Sequence, residues 1–316
     1  MQGSGNRLIG AAIERFEDLR FLRGQGTYVA DIARDRMLFA VIVRSAVAHG
    51  VIRGIDTRAA RAMPGVHAVL TAADLGEKVP RIPLRLDGQD SYKPFEQPVI
   101  ATGKVRYVGE PLAIVIADTQ ALAEDAADAV DAEIEALQAV VEARDAMAGK
   151  VLLVEAAGSN SPASIEGVKG DVDGAFAGAH YVRRERFRVH RHSAVAMEPR
   201  GLLAEWDDAG QRLTLFGAAK VPYHNRRLLA QLMGLAEEHV DLVENDVGGG
   251  FGVRGEFYPE DYLVPFAARR LGRPVRWIED RRENLMATNH AREAECEIEI
   301  ACDKDGHIRG LRANSI

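Results

Sequence analysis

Two short apolar runs organise the first third of the chain. Met37 to Arg44 and Pro111 to Ala117 are almost continuously hydrophobic, without the alternation of a half-exposed strand, and predict strands covered on both faces. Asp118 or Thr119 then caps a helix whose apolar stripe includes Leu122, Ala126 and Val130. This is an α/β pattern. Residues 142–170 shift to Ala, Gly, Ser and Asn, with Gly158-Ser-Asn-Ser-Pro162 reading as a linker, so a boundary is expected near residue 150. Beyond it, Tyr181 to Val189, Gly201 to Trp206 and Arg212 to Phe216 read as strands, and a helix runs from about Tyr223 to Met233. Glu293 to Cys302 alternates charged and apolar residues, Asp303-Lys-Asp-Gly306 is a turn, and His307 onward is the returning strand of a hairpin.

Between His239 and Glu283 the pattern is strand, glycine loop, helix, strand. Gly248, Gly249, Gly250 and Gly252 lack side chains, so their backbone N–H groups can approach a bulky anionic ligand and adopt positive φ. Gly250-Phe-Gly252-Val-Arg-Gly255 also fits the G-x-G-x-x-G turn of a dinucleotide-binding fold, which would make the chain a nicotinamide-dependent dehydrogenase. A Rossmann helix opens within its glycines, however, and here Pro259 and Pro265 would fall inside it at about 3 kcal/mol each. Pro259 as the first helical residue, followed by Glu260 and Asp261, is the better start, and Arg269, Arg270, Gly272 and Pro274 make a good stop. A kink is expected at Pro265.

Composition narrows the classes. At 316 residues with 47% hydrophobic content the chain can bury a substantial core and is expected to form two domains. A net charge of −7 gives no reason to expect nucleic acid. The start Met-Gln-Gly-Ser-Gly-Asn-Arg has no apolar signal core, and no apolar run is long enough to span a bilayer, so a cytoplasmic location is expected. Two cysteines, Cys296 and Cys302, are too few for an iron–sulfur cluster and read as neutral thiols on a strand. Redox chemistry would therefore belong to a bound cofactor, with electrons leaving through another polypeptide.

An ordered series of motifs resembles the large subunit of the molybdenum hydroxylases, the xanthine dehydrogenase and aldehyde oxidase superfamily, nearest to its aerobic carbon monoxide dehydrogenase branch. It comprises Arg15-Phe-Glu-Asp-Leu-Arg-Phe-Leu-Arg-Gly-Gln-Gly-Thr-Tyr-Val-Ala-Asp31, Val43-Arg-Ser-Ala-Val-Ala-His49, Pro64-Gly-Val, Val105-Arg-Tyr-Val-Gly-Glu-Pro111, Met197-Glu-Pro-Arg200, Val247-Gly-Gly-Gly-Phe-Gly252, Tyr258-Pro259-Glu260, Leu271-Gly-Arg-Pro-Val275 and Glu279-Asp-Arg-Arg-Glu283. The resemblance implies an α/β hammerhead domain over 13–149, followed over 150–316 by the first part of a molybdopterin-binding domain, a mix of α/β and α+β architecture. It implies water-derived hydroxylation of an aldehyde, an N-heterocycle or a related small molecule, or oxidation of carbon monoxide. Electrons would pass to iron–sulfur clusters and FAD on a small and a medium partner subunit. The cofactor it implies is molybdopterin cytosine dinucleotide with molybdenum. Family large subunits continue well past a hairpin like the one from Glu293 onward, so the remaining cofactor contacts, the active-site loop and the glutamate beside molybdenum are expected either in the rest of a longer chain of which this is a fragment or on a separate complementary C-terminal half.

The same resemblance assigns site residues. Gly249, Gly250, Phe251, Gly252 and Arg254 would line the pterin cofactor, with the Phe251 backbone next to molybdenum without being a side-chain ligand. A large apolar residue among glycines would be wasteful in an exposed turn, so Phe251 is also expected to wall a pocket. Three departures stand out. Lys220 replaces the glutamine that precedes Val-Pro-His in the family, Val253-Arg254 replaces Gly-Lys, and Gly255 stands where purine-oxidising relatives carry a glutamate, which disfavours xanthine. Lys220 and Phe251 are the catalytic candidates; Lys220 also leaves open a non-catalytic binding or assembly subunit. Other residues are read as structural: Glu198 as a buried carboxylate, Gly109-Glu-Pro111 as a turn, Glu279 to Glu283 as a solvated strand end. His190 and His192 share a strand face but lack a third ligand.

Overall fold

The computed structural model describes residues 9–84, 90–217 and 219–316. A seven-stranded mixed sheet runs through it in the order Val240–Val243, Arg212–Phe216, Gly201–Asp207, Val275–Ile278, Leu38–Arg44, Pro111–Ala117, Val66–Leu70. Leu38–Arg44 and Pro111–Ala117 are the two apolar runs of the sequence, paired antiparallel as the fifth and sixth strands of the sheet. Pro111–Ala117 is buried at every position, which explains why its sequence does not alternate. Strands from both sides of residue 150 share this sheet: Leu38 lies beside Val275 in a parallel pair, and Leu203 faces Arg276 in an antiparallel one.

The two faces of the sheet are covered differently. On one, Val69, Ala113 and Val115 pack with Ala60 and with Ala126 of the Gln120–Asp128 helix. Thr119 caps that helix by accepting the Leu122 N–H at 3.2 Å. On the other face, Leu38, Ile114, Leu202, Leu213 and Trp277 meet the helices Pro222–Met233 and Glu260–Leu271 in the largest core cluster. Glu260–Leu271 starts one residue after Pro259, carries Glu260 and Asp261 in its first turn, runs unbroken through Pro265 and stops at Gly272 in the left-handed conformation.

Two three-stranded sheets flank this body. Gly50–Asp56 lies between Lys104–Val105 and Asp131–Ala136, and Ala294–Cys302 lies between Tyr181–Val189 and Ile308–Ser315. In the second, Arg188, Arg186 and Arg184 stand opposite Glu295, Glu297 and Glu299, a charge ladder along one face. Cys296 is half-buried and Cys302 buried, both as free thiols. Residues 142–170 contain no strand; Asn160 fastens them by bonding the Leu153 N–H and the carbonyls of Ala146 and Val151.

Strand direction decides what lies at the working end of the central sheet. Leu38–Arg44 and Val275–Ile278 are parallel, whereas Gly201–Asp207 and Pro111–Ala117 run against them. The last residues of the first pair and those just before the second pair therefore gather at one edge. These are Arg44, Glu279, Arg200 and Glu110.

Candidate functional site

That edge is a buried charge network. Arg44 donates to Glu260 at 2.6 Å and to Glu283 at 2.8 Å; Arg200 donates to Glu260 at 3.1 Å and to Glu279 at 2.6 and 3.1 Å. Glu279 also accepts from the Arg200 backbone N–H, from Asn284 Nδ2 and from Thr288 Oγ1. Arg200, Glu260 and Glu279 are each buried, so a charge here survives only because its partners and hydrogen bonds replace water. Burial by itself would raise the Glu260 carboxyl, but Arg200 and Arg44 outweigh it and hold the group at about 2. The guanidinium of Arg200 lies over the Tyr258 ring at 3.9 Å, and burial pushes the Tyr258 phenol up to about 12.

The expectation for Glu279 to Glu283 is corrected here. It is not a solvated strand end: Glu279 is fully inside the network, and Asp280 caps a helix over Arg281–Ala287 in a reciprocal box with Glu283. Gly109-Glu-Pro111 does form a turn, with Gly109 at φ +97°, but Glu110 is buried, accepts the Arg106 N–H at 2.6 Å and has its carboxyl pushed up by burial. Arg44 joins the network to this turn by donating to the Gly109 carbonyl.

The glycine loop is fastened to the network through Glu198 and Arg254. Gly248 N–H donates to Glu198 Oε2 at 2.7 Å, and Glu198 N–H returns a bond to the Gly248 carbonyl. A Cβ on Gly248 would stand 2.4 Å from Glu198 Cβ, so the approach requires glycine. Buried Arg254 donates to the carbonyls of Gly249, Glu198 and Pro199 and to Glu198 Oε2, gripping the loop from behind. Gly249, Phe251 and Gly252 have φ of +113°, +48° and +99°, and for phenylalanine that is a strained conformation. Beside Gly250 and Gly252 an added Cβ would meet nothing within 4 Å. The loop therefore has a braced back and an open front.

Phe251 lines a cleft of about 1010 Å³ whose walls also include Arg106, Tyr107, His192, Glu256, Tyr258 and His290. Its side chain is 77% exposed, so it stands at the cleft wall without being packed into it. Lys220 is exposed, and its backbone N–H donates to the Arg254 carbonyl at 2.8 Å. A Cβ on Gly255 would be 3.3 Å from Lys220 Cδ, so the lysine stem lies against the turn that ends the loop. Lys220, Phe251, Gly249, Gly250, Gly252 and Arg254 are thus brought into one neighbourhood, with Arg254 facing the protein. Among the described residues, His190 and His192 belong to no group of three metal-capable side chains; the group that exists, Asp303, Asp305 and His307, lies in the hairpin turn.

The dinucleotide-fold alternative fails on topology. Only a single 3₁₀ turn, Val253–Gly255, follows the glycines, and the helix begins at Glu260. Val240–Val243 and Val275–Ile278 are separated in the sheet by two other strands, so they do not form the adjacent parallel pair of a βαβ unit.

Residues 155–316 match the family described as molybdopterin cofactor-binding domain, and residues 23–138 match the aldehyde oxidase and xanthine dehydrogenase a/b hammerhead domain. The chain belongs to the molybdenum hydroxylase large-subunit family. It is 38% identical to the nicotine 6-hydroxylase large subunit of Paenarthrobacter nicotinovorans, over 98% of this chain and 38% of that protein. It is 37% identical to the carbon monoxide dehydrogenase large chain of Hydrogenophaga pseudoflava, over 95% and 38%. Among solved structures, quinoline 2-oxidoreductase from Pseudomonas putida 86 superposes with a TM-score of 0.87 at 35% identity, covering 97% of this chain and 39% of that one. The chain spans about two fifths of the length of its nicotine 6-hydroxylase, 6-hydroxypseudooxynicotine dehydrogenase and carbon monoxide dehydrogenase relatives.

Proposed function

We propose that the chain is the cofactor-cradling part of a molybdenum-dependent hydroxylase or dehydrogenase. The observation that carries this is the loop Gly248 to Gly252, braced by Glu198 and Arg254 and open in front of Gly250 and Gly252. An open, side-chain-free backbone suits a ligand with anionic and oxo groups. The names of its relatives, a nicotine 6-hydroxylase and two carbon monoxide dehydrogenases, support the same reading. The proposed cofactor is molybdopterin cytosine dinucleotide, which when bound supplies oxygen transfer from water and accepts two electrons.

In this reading the backbone of Gly249, Gly250, Phe251 and Gly252 holds the cofactor, and Phe251 walls off its reactive end. Arg254 is a positioning residue that fixes the Gly249 carbonyl. Lys220 brings a positive charge on a flexible stem beside the loop, where it favours an anionic substrate or charge developing on oxygen. The hammerhead unit extends over 13–149 and the cofactor unit over 150–316, a division supported by the gap between the two family matches. Iron–sulfur and FAD subunits take the electrons, a complementary large-subunit half completes the cavity, and the complex works in the cytoplasm. Among the described residues no helix is long and apolar enough to cross a membrane.

Elemental analysis tests this. Expressed alone in a host that makes molybdopterin cofactor, the chain should retain little molybdenum, and co-expression with the complementary half should restore it. Stoichiometric molybdenum in the isolated chain would show a site that needs no partner, and none in the complex would remove the proposed function.

A further inference from the structure

Behind the glycine loop lies a second polar feature that the cofactor reading does not use. Two small cavities of about 20 Å³ each adjoin one another under the first turn of the Glu260–Leu271 helix. Asn225 and Asp261 line both, and Trp277 lines one. Asn225 is 4% exposed and Trp277 1%, and neither Asn225 Oδ1 nor Trp277 Nε1 has a hydrogen-bond partner among the described residues. Buried polar atoms are normally paired, so two orphaned atoms on residues that line one cavity call for an occupant.

We propose that Asn225, Trp277 and Asp261 hold a resident internal water. Trp277 Nε1–H can only donate and Asn225 Oδ1 can only accept. A cation leaves the indole unsatisfied, an anion leaves the amide oxygen unsatisfied, and an apolar group leaves both. Water accepts from the first and donates to the second. Its remaining hydrogen has the Asp261 carboxyl within the same walls, where one oxygen already accepts the Tyr258 N–H at 2.7 Å. Space agrees, since one water needs roughly 10–15 Å³ of this kind of volume and two to four polar partners.

The placement gives the water a role. Asn225 is in the first turns of the helix Pro222–Met233, which begins just after Lys220, and Gly217 and Ala219 of the same segment line one cavity. Arg254 and Glu256 from the far side of the glycine loop line the other. One water thus joins the helix that follows Lys220, through Asn225, to the Val275–Ile278 strand and to the first turn of the Glu260–Leu271 helix. This inference stands independently of which cofactor the loop binds.

Water-selective NMR on the ¹⁵N-labelled chain reads the site directly. The sequence has two tryptophans, Trp206 and Trp277, so Trp206→Phe assigns the indole resonances. The Trp277 indole N–H should show a cross-relaxation signal of the sign given by long-lived bound water, unlike the Trp206 indole, which bonds Asp208 near the surface. Asn225→Leu should abolish that signal, and Asn225→Asp, which keeps the acceptor oxygen, should retain it. Absence of the signal in the wild-type protein, or its survival at full strength in Asn225→Leu, overturns the proposal. Should Asn225→Leu fail to fold, a crystal structure of the wild-type chain decides: a density peak bonded to both atoms supports the water, and a dry cavity overturns it.

Discussion

Arg200 and Glu279 are joined three times, by the Arg200 backbone N–H to Oε2 at 3.1 Å and by Nε and an Nη to Oε1 at 3.1 and 2.6 Å. The pair holds the Met197-Glu-Pro-Arg200 segment against the end of the Val275–Ile278 strand, and Glu198 of that segment carries the glycine loop. Glu279→Ala leaves a buried guanidinium with Glu260 as its one remaining carboxylate among the described residues. The expected cost is about 3–5 kcal/mol, read as a shift of the urea midpoint at unchanged slope. A loss below about 1 kcal/mol would show that the network is dispensable to the fold.

Glu260 has a folded value of about 2 and an ordinary value of 4.5. Because its folded value is depressed, its contribution is complete above about pH 4.5 and is lost as pH falls through about 2. That contribution is on the order of 3 kcal/mol. Stability of the wild-type chain should fall over this acid window, and Glu260→Gln should start lower and lose less. Parallel acid profiles for the two proteins would contradict the assignment.

Asp261 behaves in the opposite sense, since burial raises its carboxyl to about 7. The folded chain keeps it protonated where the unfolded chain has already released the proton, so it costs stability as pH rises from about 4 to about 7. Asp261→Asn, which retains an acceptor for the Tyr258 N–H, should match the wild type at low pH and exceed it above neutrality. Denaturation midpoints across the range measure this, and a constant difference would count against the shift.

The glycine loop separates fold from binding. Gly249 has positive φ, and a Cβ added there would stand 3.0 and 3.1 Å from the side chains of Phe251 and Ala196, so Gly249→Ala should cost about 1–3 kcal/mol of stability. Gly250 lacks both constraints and faces open space. Gly250→Val should therefore fold normally and yet lower the molybdenum and pterin content of the assembled complex. Full cofactor content in a folded Gly250→Val complex would move the site elsewhere.

Lys220→Gln tests the clearest departure from the family pattern. In the assembled complex, kcat/KM should fall on the order of tenfold, about 1.4 kcal/mol, for a carboxylate-bearing aromatic heterocycle, and less for its neutral analogue. An equal fall with both would point to an effect at the metal centre, and no change with either would place Lys220 outside the site.

The elements marked by a continuous apolar run or by helix start and stop signals were legible in the sequence. Pro111–Ala117 is read correctly because both of its faces are apolar, and Glu260–Leu271 because Pro259, Glu260 and Gly272 mark its ends. The buried network was not legible. Arg44, Arg200, Glu260 and Glu279 come from four segments, and each looks like a surface charge until the sheet brings them together. Part of it could have been found, since Asp280-Arg-Arg-Glu283 is a capping box and argues for a helix where a strand end was expected. Phe251 was expected to wall a pocket because a large apolar residue is wasteful in an exposed turn; it borders the cleft but is largely exposed, and its positive φ and exposure depend on backbone geometry that residue type does not encode.

The pairing of Leu38 with Val275 also governs how the chain comes to be folded. During synthesis the apolar Leu38–Arg44 strand emerges early and can find Pro111–Ala117, but its other edge stays open until residues 275–278 leave the ribosome. An unpaired apolar strand edge is a template for aggregation, and contacts of such long sequence separation form slowly. Nascent chains should thus depend on chaperone shielding between these two events, and slower translation of the segment from Ala117 to Val275 should lower the yield of native protein.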